Sequence, residues 1–132
     1  MAIPHTLSKS ERLKSRKVIN TLFTEGQSEF QYPLKCIFLK CSPIDKDLGP
    51  LLFAATVSKR NFKRAVKRNL IKRHIREAYR MNKPATNQKE PETSQWALMY
   101  IFVSKEQEDI ALLPDAMLKI NKKILKRISP KP

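Results

Sequence analysis

Acidic side chains are scarce in this chain. Twelve Asp and Glu stand against 27 Lys and Arg in 132 residues, a formal charge of +15 at pH 7 with histidine neutral. That imbalance argues against a cationic partner. It points first to nucleic acid and second to an anionic membrane surface. Glycine is rarer still: only Gly26 and Gly49 occur, which excludes a Gly-rich phosphate-binding loop. Cysteine is limited to Cys36 and Cys41, five apart in one strand-like run. An odd separation puts them on opposite sheet faces, so they do not bridge each other. With His5 and His74 far apart, no zinc-site spacing exists, and both cysteines read as small apolar strand residues. No apolar run approaches the roughly 18 residues of a membrane span. The start, MAIPHTLSKSER, has no apolar core of signal-peptide length. The expectation is a cytoplasmic protein without a membrane partner.

What is present is globular. Apolar residues at 41% supply one modest core rather than a disordered chain. We expect a single domain over 1–132, with 1–14 loosely ordered apart from the capping-box spacing of Ser8 and Glu11. The spacing predicts a helix over 15–25, capped by Ser15 and stopped at Gly26, with Val18, Ile19, Leu22 and Phe23 as its apolar stripe. A short edge strand over 28–32 precedes Pro33. Residues 34–41 alternate as a strand, with Leu34, Cys36 and Phe38 on one face. Residues 42–50 read as a turn. In 51–58, Leu51, Phe53, Ala55 and Val57 belong to the core, whereas Leu52, Ala54, Thr56 and Ser58 leave a shallow, open sheet face. The polar, Pro-containing run 82–95 reads as a mobile loop. The continuous apolar run 96–103 predicts a strand buried on both faces. A last helix over 113–128 turns Met117, Ile120, Ile124 and Ile128 inward and Lys119, Lys122, Lys123 and Lys126 outward. The order helix, two or three strands, helix, strand, helix gives an α+β fold with a small mixed sheet of three to four strands.

The most cationic stretch is SKRNFKRAVKRNLIKRHIREAYR, residues 58–80. It carries ten Lys or Arg from Lys59 to Arg80 against one acid, Glu77. With Ser58 or Asn61 as cap and an end near Asn82, it forms an amphipathic helix. Arg68, Asn69, Lys72, Arg73, Arg76 and Arg80 fall in one arc; Val66, Leu70, Ile71, His74, Ile75 and Ala78 fall in the opposite one. Tyr79 lies at the edge of the basic arc. Like charges at i and i+4 repel. The acid-free row Arg68, Lys72, Arg76, Arg80 therefore costs stability that a polyanion would restore. Arg12, Lys14, Arg16 and Lys17 crowd the start of the first helix, against its macrodipole. An idle, solvated surface accounts for neither cluster as well.

No Ser/His/Asp or Cys/His set has catalytic context. His74 reads as a packed or boundary histidine. Asp45, Asp47, Glu106, Glu108 and Asp109 read as loop acids. Binding is better supported. Arg presents a bidentate fork to phosphate, and Asn69 can bond phosphate, sugar or base. Single strands also need aromatic platforms. Phe23 and Phe38 are candidates, although either alone is more often a core residue.

Residues 65–80 resemble the signature helix of the protein subunit of bacterial ribonuclease P. Its Arg-Asn-Arg core follows Ala-Val and precedes a basic run ending Arg-Glu-Ala, an aromatic and Arg. Here Ala65-Val66-Lys67-Arg68-Asn69-Leu70 leads to Arg76-Glu77-Ala78-Tyr79-Arg80. The lead-in Val57-Ser58-Lys59-Arg60 is similar to the family's own. So is Arg12-Leu13-Lys14 with Leu22, Phe23 and Gly26. The likeness covers 10–81, with three departures. Leu70 replaces the second Arg of the core, Ile19 replaces an aromatic, and Phe62 replaces a glycine with one residue extra.

The resemblance implies an α+β fold whose strand–helix–strand crossover through the basic helix is left-handed, against the usual rule. It implies contact with the RNA subunit through Lys59, Arg60, Arg64, Arg68, Asn69, Lys72, Arg73, Arg76 and Arg80, one protein per RNA. It implies a groove for the single-stranded 5′ leader of precursor tRNA. The groove residues are Arg12, Arg16, Lys17, Ile19, Phe23, Phe38, Ala54, Thr56 and Ser58. The RNA subunit, with Mg²⁺, then cuts the leader, and the protein alone is expected to hold no catalytic residue, metal or cofactor. Two alternatives stay open: a ribosomal or chaperone-like RNA-binding protein without a processing role, and a DNA-compacting or membrane-surface protein.

Overall fold

The computed structural model describes residues 16–41, 51–82 and 95–128. The expectations for 1–14, 42–50 and the loop at 83–94 lie outside the described residues. The elements are α1 Arg16–Glu25, β1 Gln27–Gln31, β2 Leu34–Cys41, β3 Leu51–Val57, α2 Ala65–Met81, β4 Gln95–Phe102, a 3₁₀ helix Gln107–Leu112, and α3 Leu113–Ile128. Three helices and a mixed sheet ordered β1-β2-β4-β3 give the expected α+β class. The 3₁₀ helix is an addition to the expected order.

β4 lies inside the sheet, antiparallel to β2 and parallel to β3. Its neighbours and the helices cover both of its faces, which is why its sequence runs apolar without alternation. β1 is an edge strand paired antiparallel to β2, joined through a turn holding a cis Tyr32–Pro33 bond. The parallel pair β3 and β4 requires a crossover, and α2 lies in that connection.

The register sorts the side chains. Phe38, Leu98 and Phe53 stand in one row, and Ile37, Met99 and Ala54 in the next. Directly paired residues share a face, so these rows point to opposite sides of the sheet. The Phe38 side is the main core. There Leu34, Cys36, Phe53, Trp96, Tyr100 and Phe102 meet Ile71, Ile75 and Tyr79 of α2 and Met117, Ile120 and Ile124 of α3. Tyr79 stacks on Phe53 with centroids 4.4 Å apart. The Phe62 and Phe102 ring centroids lie 6.0 Å apart, so buried Phe62 pins the approach to α2 into the core. Buried polar atoms are joined in series. Tyr100 OH donates to Asn121 Oδ1 (2.6 Å), and Asn121 Nδ2 donates to the Asn82 carbonyl (2.6 Å). That series ties β4, α3 and the end of α2. Burial pushes the Cys36 thiol far above its ordinary range, which suits the reading of Cys36 as an apolar strand residue.

The other side has only α1. Leu22 sits on Ile37, Leu52, Ala97 and Met99, with Ile19, Leu39, Ala54 and Ile101 at the rim. Leu52, expected on an open face, is buried there; the openness is confined to half-buried Ala54 and Thr56 and exposed Ser58. Gly26 ends α1 by donating its amide to the Leu22 carbonyl (2.9 Å). Its φ is not positive. It is required for space: a Cβ would lie 2.5 Å from both Ile37 Cγ2 and the Leu22 oxygen.

Candidate RNA interface

α2 starts at Ala65, later than a cap at Ser58 or Asn61 would place it. Ser58 serves a separate turn, its Oγ accepting from the Arg60 amide (3.0 Å) and its carbonyl from the Phe62 amide (3.1 Å). Arg64 stands at the N-cap with no capping side-chain bond, and the first turn holds no acid. Helix dipole and side chains therefore add to one positive potential at this end. Arg68 turns back: its Nη1 donates to the carbonyls of Phe62 (2.9 Å) and Lys63 (2.8 Å). The row Arg68, Lys72, Arg76, Arg80 is not a straight solvent row. Successive i+4 steps drift by about 40° around a 3.6-residue helix, and Arg68 begins beside the buried stripe. At the other end Arg80 pairs with Glu77. Asn69, Arg73 and Arg76 are exposed and Lys72 is half-buried. Lys59, Arg60 and Arg64 are exposed on the lead-in.

The buried stripe of α2 is Ile71, Ile75, Ala78 and Tyr79. Tyr79 is therefore core and not an edge of the basic arc. Val66 is 78% exposed, because it precedes Ile71 by five residues, or about 140° of rotation. His74 is exposed rather than packed, and Leu70 is half-buried.

A cleft of about 500 Å³ lies between the α2 lead-in and the segment after β4, lined by Arg60, Lys63, Arg64, Lys67 and Lys105 with Glu106 and Glu108. Lys63, Lys67 and Lys105 were absent from the sequence-derived set. Lys105 arrives because β3 and β4 run parallel and end together at Val57 and Phe102. Only that topology could have signalled it. Behind the segment, Ser104 Oγ and Tyr32 OH both donate to Asp109 Oδ2, at 2.6 Å each. The two bonds hold its carboxyl below the ordinary range, Ser104 being the larger cause. Asp109 is thus a structural acid. Among the described residues no three His, Cys, Asp or Glu side chains come together as a metal site.

The second candidate surface is the sheet face beside α1. Phe23 is 57% exposed there and Ile19 is half-buried against the Leu22 cluster. Ala54, Thr56 and Ser58 follow along β3. Phe38 is excluded from this surface. It is 0% exposed, on the α2/α3 side, with the Arg127 guanidinium carbon 5.5 Å above its ring. The reason is parity: in register Phe38 aligns with Phe53, and not with Ala54. Arg12 lies outside the described residues, and Arg16 and Lys17 contribute only their places at the start of α1. Missed from sequence were Phe30 and Lys35, which pair with each other across β1 and β2. The alternation of β2 placed Lys35 with Ile37, and extending it across the edge strand would have found both.

Comparison with known proteins converges. Residues 7–128 match the model of the family described as Ribonuclease P. The chain is 41% identical over 114 residues to the ribonuclease P protein component of Porphyromonas gingivalis, covering 86% of this chain and 82% of that one. It is 40% identical over 82 residues to the same component of Chlorobium phaeobacteroides, covering 60% and 55%. In structure it is similar to the RNase P proteins of Staphylococcus aureus (TM-score 0.62, 22% identity, 89% of this chain and 97% of that one) and Thermotoga maritima (TM-score 0.61, 24% identity, 89% and 97%). These solved structures share the fold, and the sequence match fixes the relationship: this chain belongs to the ribonuclease P protein family.

Proposed function

We propose that this chain is the protein subunit of a ribonuclease P holoenzyme. It binds the catalytic RNA through the cations of α2 and its lead-in, and holds the 5′ leader of precursor tRNA between α1 and the sheet. Hydrolysis and the Mg²⁺ it uses belong to the RNA subunit. The protein supplies cations that lower the salt needed for RNA catalysis and a groove that tightens substrate binding. The observation that supports this best is the separation of two surfaces within one family fold. One is a cationic helix end with a cleft of about 500 Å³ lined mainly by Lys and Arg; the other is a sheet face flanked by α1, whose Phe23 is exposed. A general RNA-binding protein needs only the first.

The test is reconstitution with a bacterial ribonuclease P RNA and precursor tRNA at low Mg²⁺. The protein is expected to raise 5′ cleavage over RNA alone; no gain would sink the proposal. Phe23→Ala is expected to weaken binding of leader-bearing substrate more than of mature tRNA. An equal loss for both would move the groove elsewhere.

A further inference from the structure

The groove face of the sheet continues past β2. Phe30, on edge strand β1, is 51% exposed. It pairs in register with Lys35, Lys35 with Ile101, and Ile101 with Thr56. Directly paired side chains share a face. These four therefore form one row across all four strands, about 14 Å long at roughly 4.8 Å per strand step. The row lies on the α1 side, because Ile37, two residues from Lys35, belongs to the cluster around Leu22. Along it, half-buried Ile101 and Thr56 give way to exposed Lys35 and Phe30.

A single exposed phenylalanine is ordinary on a protein surface. Three observations make this one different. It stands beside a cation, and single-stranded nucleic acid takes both a charge for its phosphate and a ring for its base. The backbone that carries it is held from behind. Lys123 Nζ donates to the Phe30 carbonyl (2.8 Å), and Arg127 pairs with Glu29 (2.8 Å), so the platform is preorganised. Finally, α1 presents Phe23 as its exposed aromatic, since position 19 is an isoleucine folded against Leu22.

We infer that Phe30 and Lys35 form a second stacking subsite of the groove, engaged by leaders long enough to reach edge strand β1. The subsite rests on the leader-groove proposal above. The holoenzyme, reconstituted with the full chain, is assayed on precursor tRNAs with leaders of two and ten nucleotides. Phe30→Ala is expected to weaken binding of the ten-nucleotide substrate about tenfold, in the range of one lost base stack, and to leave the two-nucleotide substrate unchanged. Phe30→Tyr retains tight binding, and Lys35→Ala loses less than Phe30→Ala and mainly at low salt. Phe30→Trp adds an exposed reporter to a chain whose only other tryptophan, Trp96, is buried. Its fluorescence is expected to be quenched by the ten-nucleotide substrate alone. If wild type prefers the longer leader and Phe30→Ala keeps that preference in full, the subsite is overturned. An equal loss of both substrates overturns it too. If wild type shows no preference for the longer leader, the groove itself is overturned and the subsite with it.

Discussion

The two faces of the sheet differ in how much covers them. One lies under α2 and α3 and is filled with aromatic rings: Phe38, Phe53, Tyr79, Trp96, Tyr100 and Phe102. The other lies under the ten residues of α1, which reach Leu52, Ala97 and Met99 but leave Phe23 and Phe30 in solvent. A sheet buried equally on both sides would be more stable and would have no groove. Here one face holds the larger buried cluster, and the other leaves apolar side chains accessible, the surface on which the proposed leader groove rests.

That division breaks first if the aromatic core is dispensable. Phe53→Ala removes the ring under Tyr79 and beside Tyr100 and is expected to cost about 3–5 kcal/mol in urea unfolding. Phe23→Ala is expected to stay within about 0.5 kcal/mol of wild type. Comparable losses for the two would abolish the contrast. Next comes the junction between the faces: Gly26→Ala forces Ile37 or the end of α1 to move, for roughly 1–3 kcal/mol, read as a lowered melting temperature. An unchanged value would mean that α1 is loosely seated. The cationic side is sharpened by Arg73→Ala with Arg76→Ala. This pair is expected to leave stability unchanged and to flatten the slope of log affinity against log salt by about 1 per residue. An unaltered slope would move the RNA contact off α2. Arg68→Ala should differ from that pair by also destabilising the lead-in, since two carbonyls lose its guanidinium.

The smallest effect is at the Tyr32–Asp109 bond. The folded state holds the Asp109 carboxyl below its ordinary range, so its contribution is present above that range and fades as pH falls through the folded value. The stability gap between wild type and Tyr32→Phe should therefore narrow from pH 7 to pH 3. A gap constant with pH would remove Asp109 from the account.

Much of this was legible in residue order, and the misses share a cause. The strand bounds 34–41, the α3 bounds 113–128 and the interior position of β4 follow from alternation, periodicity and unbroken apolar runs. The errors on α2 arose from treating an i+4 row as straight. Over three steps the drift carries Arg68 to the packed side, while Tyr79, eight residues past Ile71, joins the stripe. Phe38 was misplaced for a related reason: period 2 says which residues share a face within one strand, but not which face of a neighbouring strand they meet.

The sequence by itself determined the cationic helix, the strand and helix types and the family, and through the family an RNA partner. These depend on charge and local periodicity, which are written along the chain. The tertiary structure alone decided which rows of the sheet lie beneath α1, that Phe38 is core, that Phe30 and Lys35 share the α1 face of the sheet, and that Lys105 joins the cleft at α2. Each of those depends on strand register and on a parallel pair ending at one edge, and register is set by contacts between segments tens of residues apart.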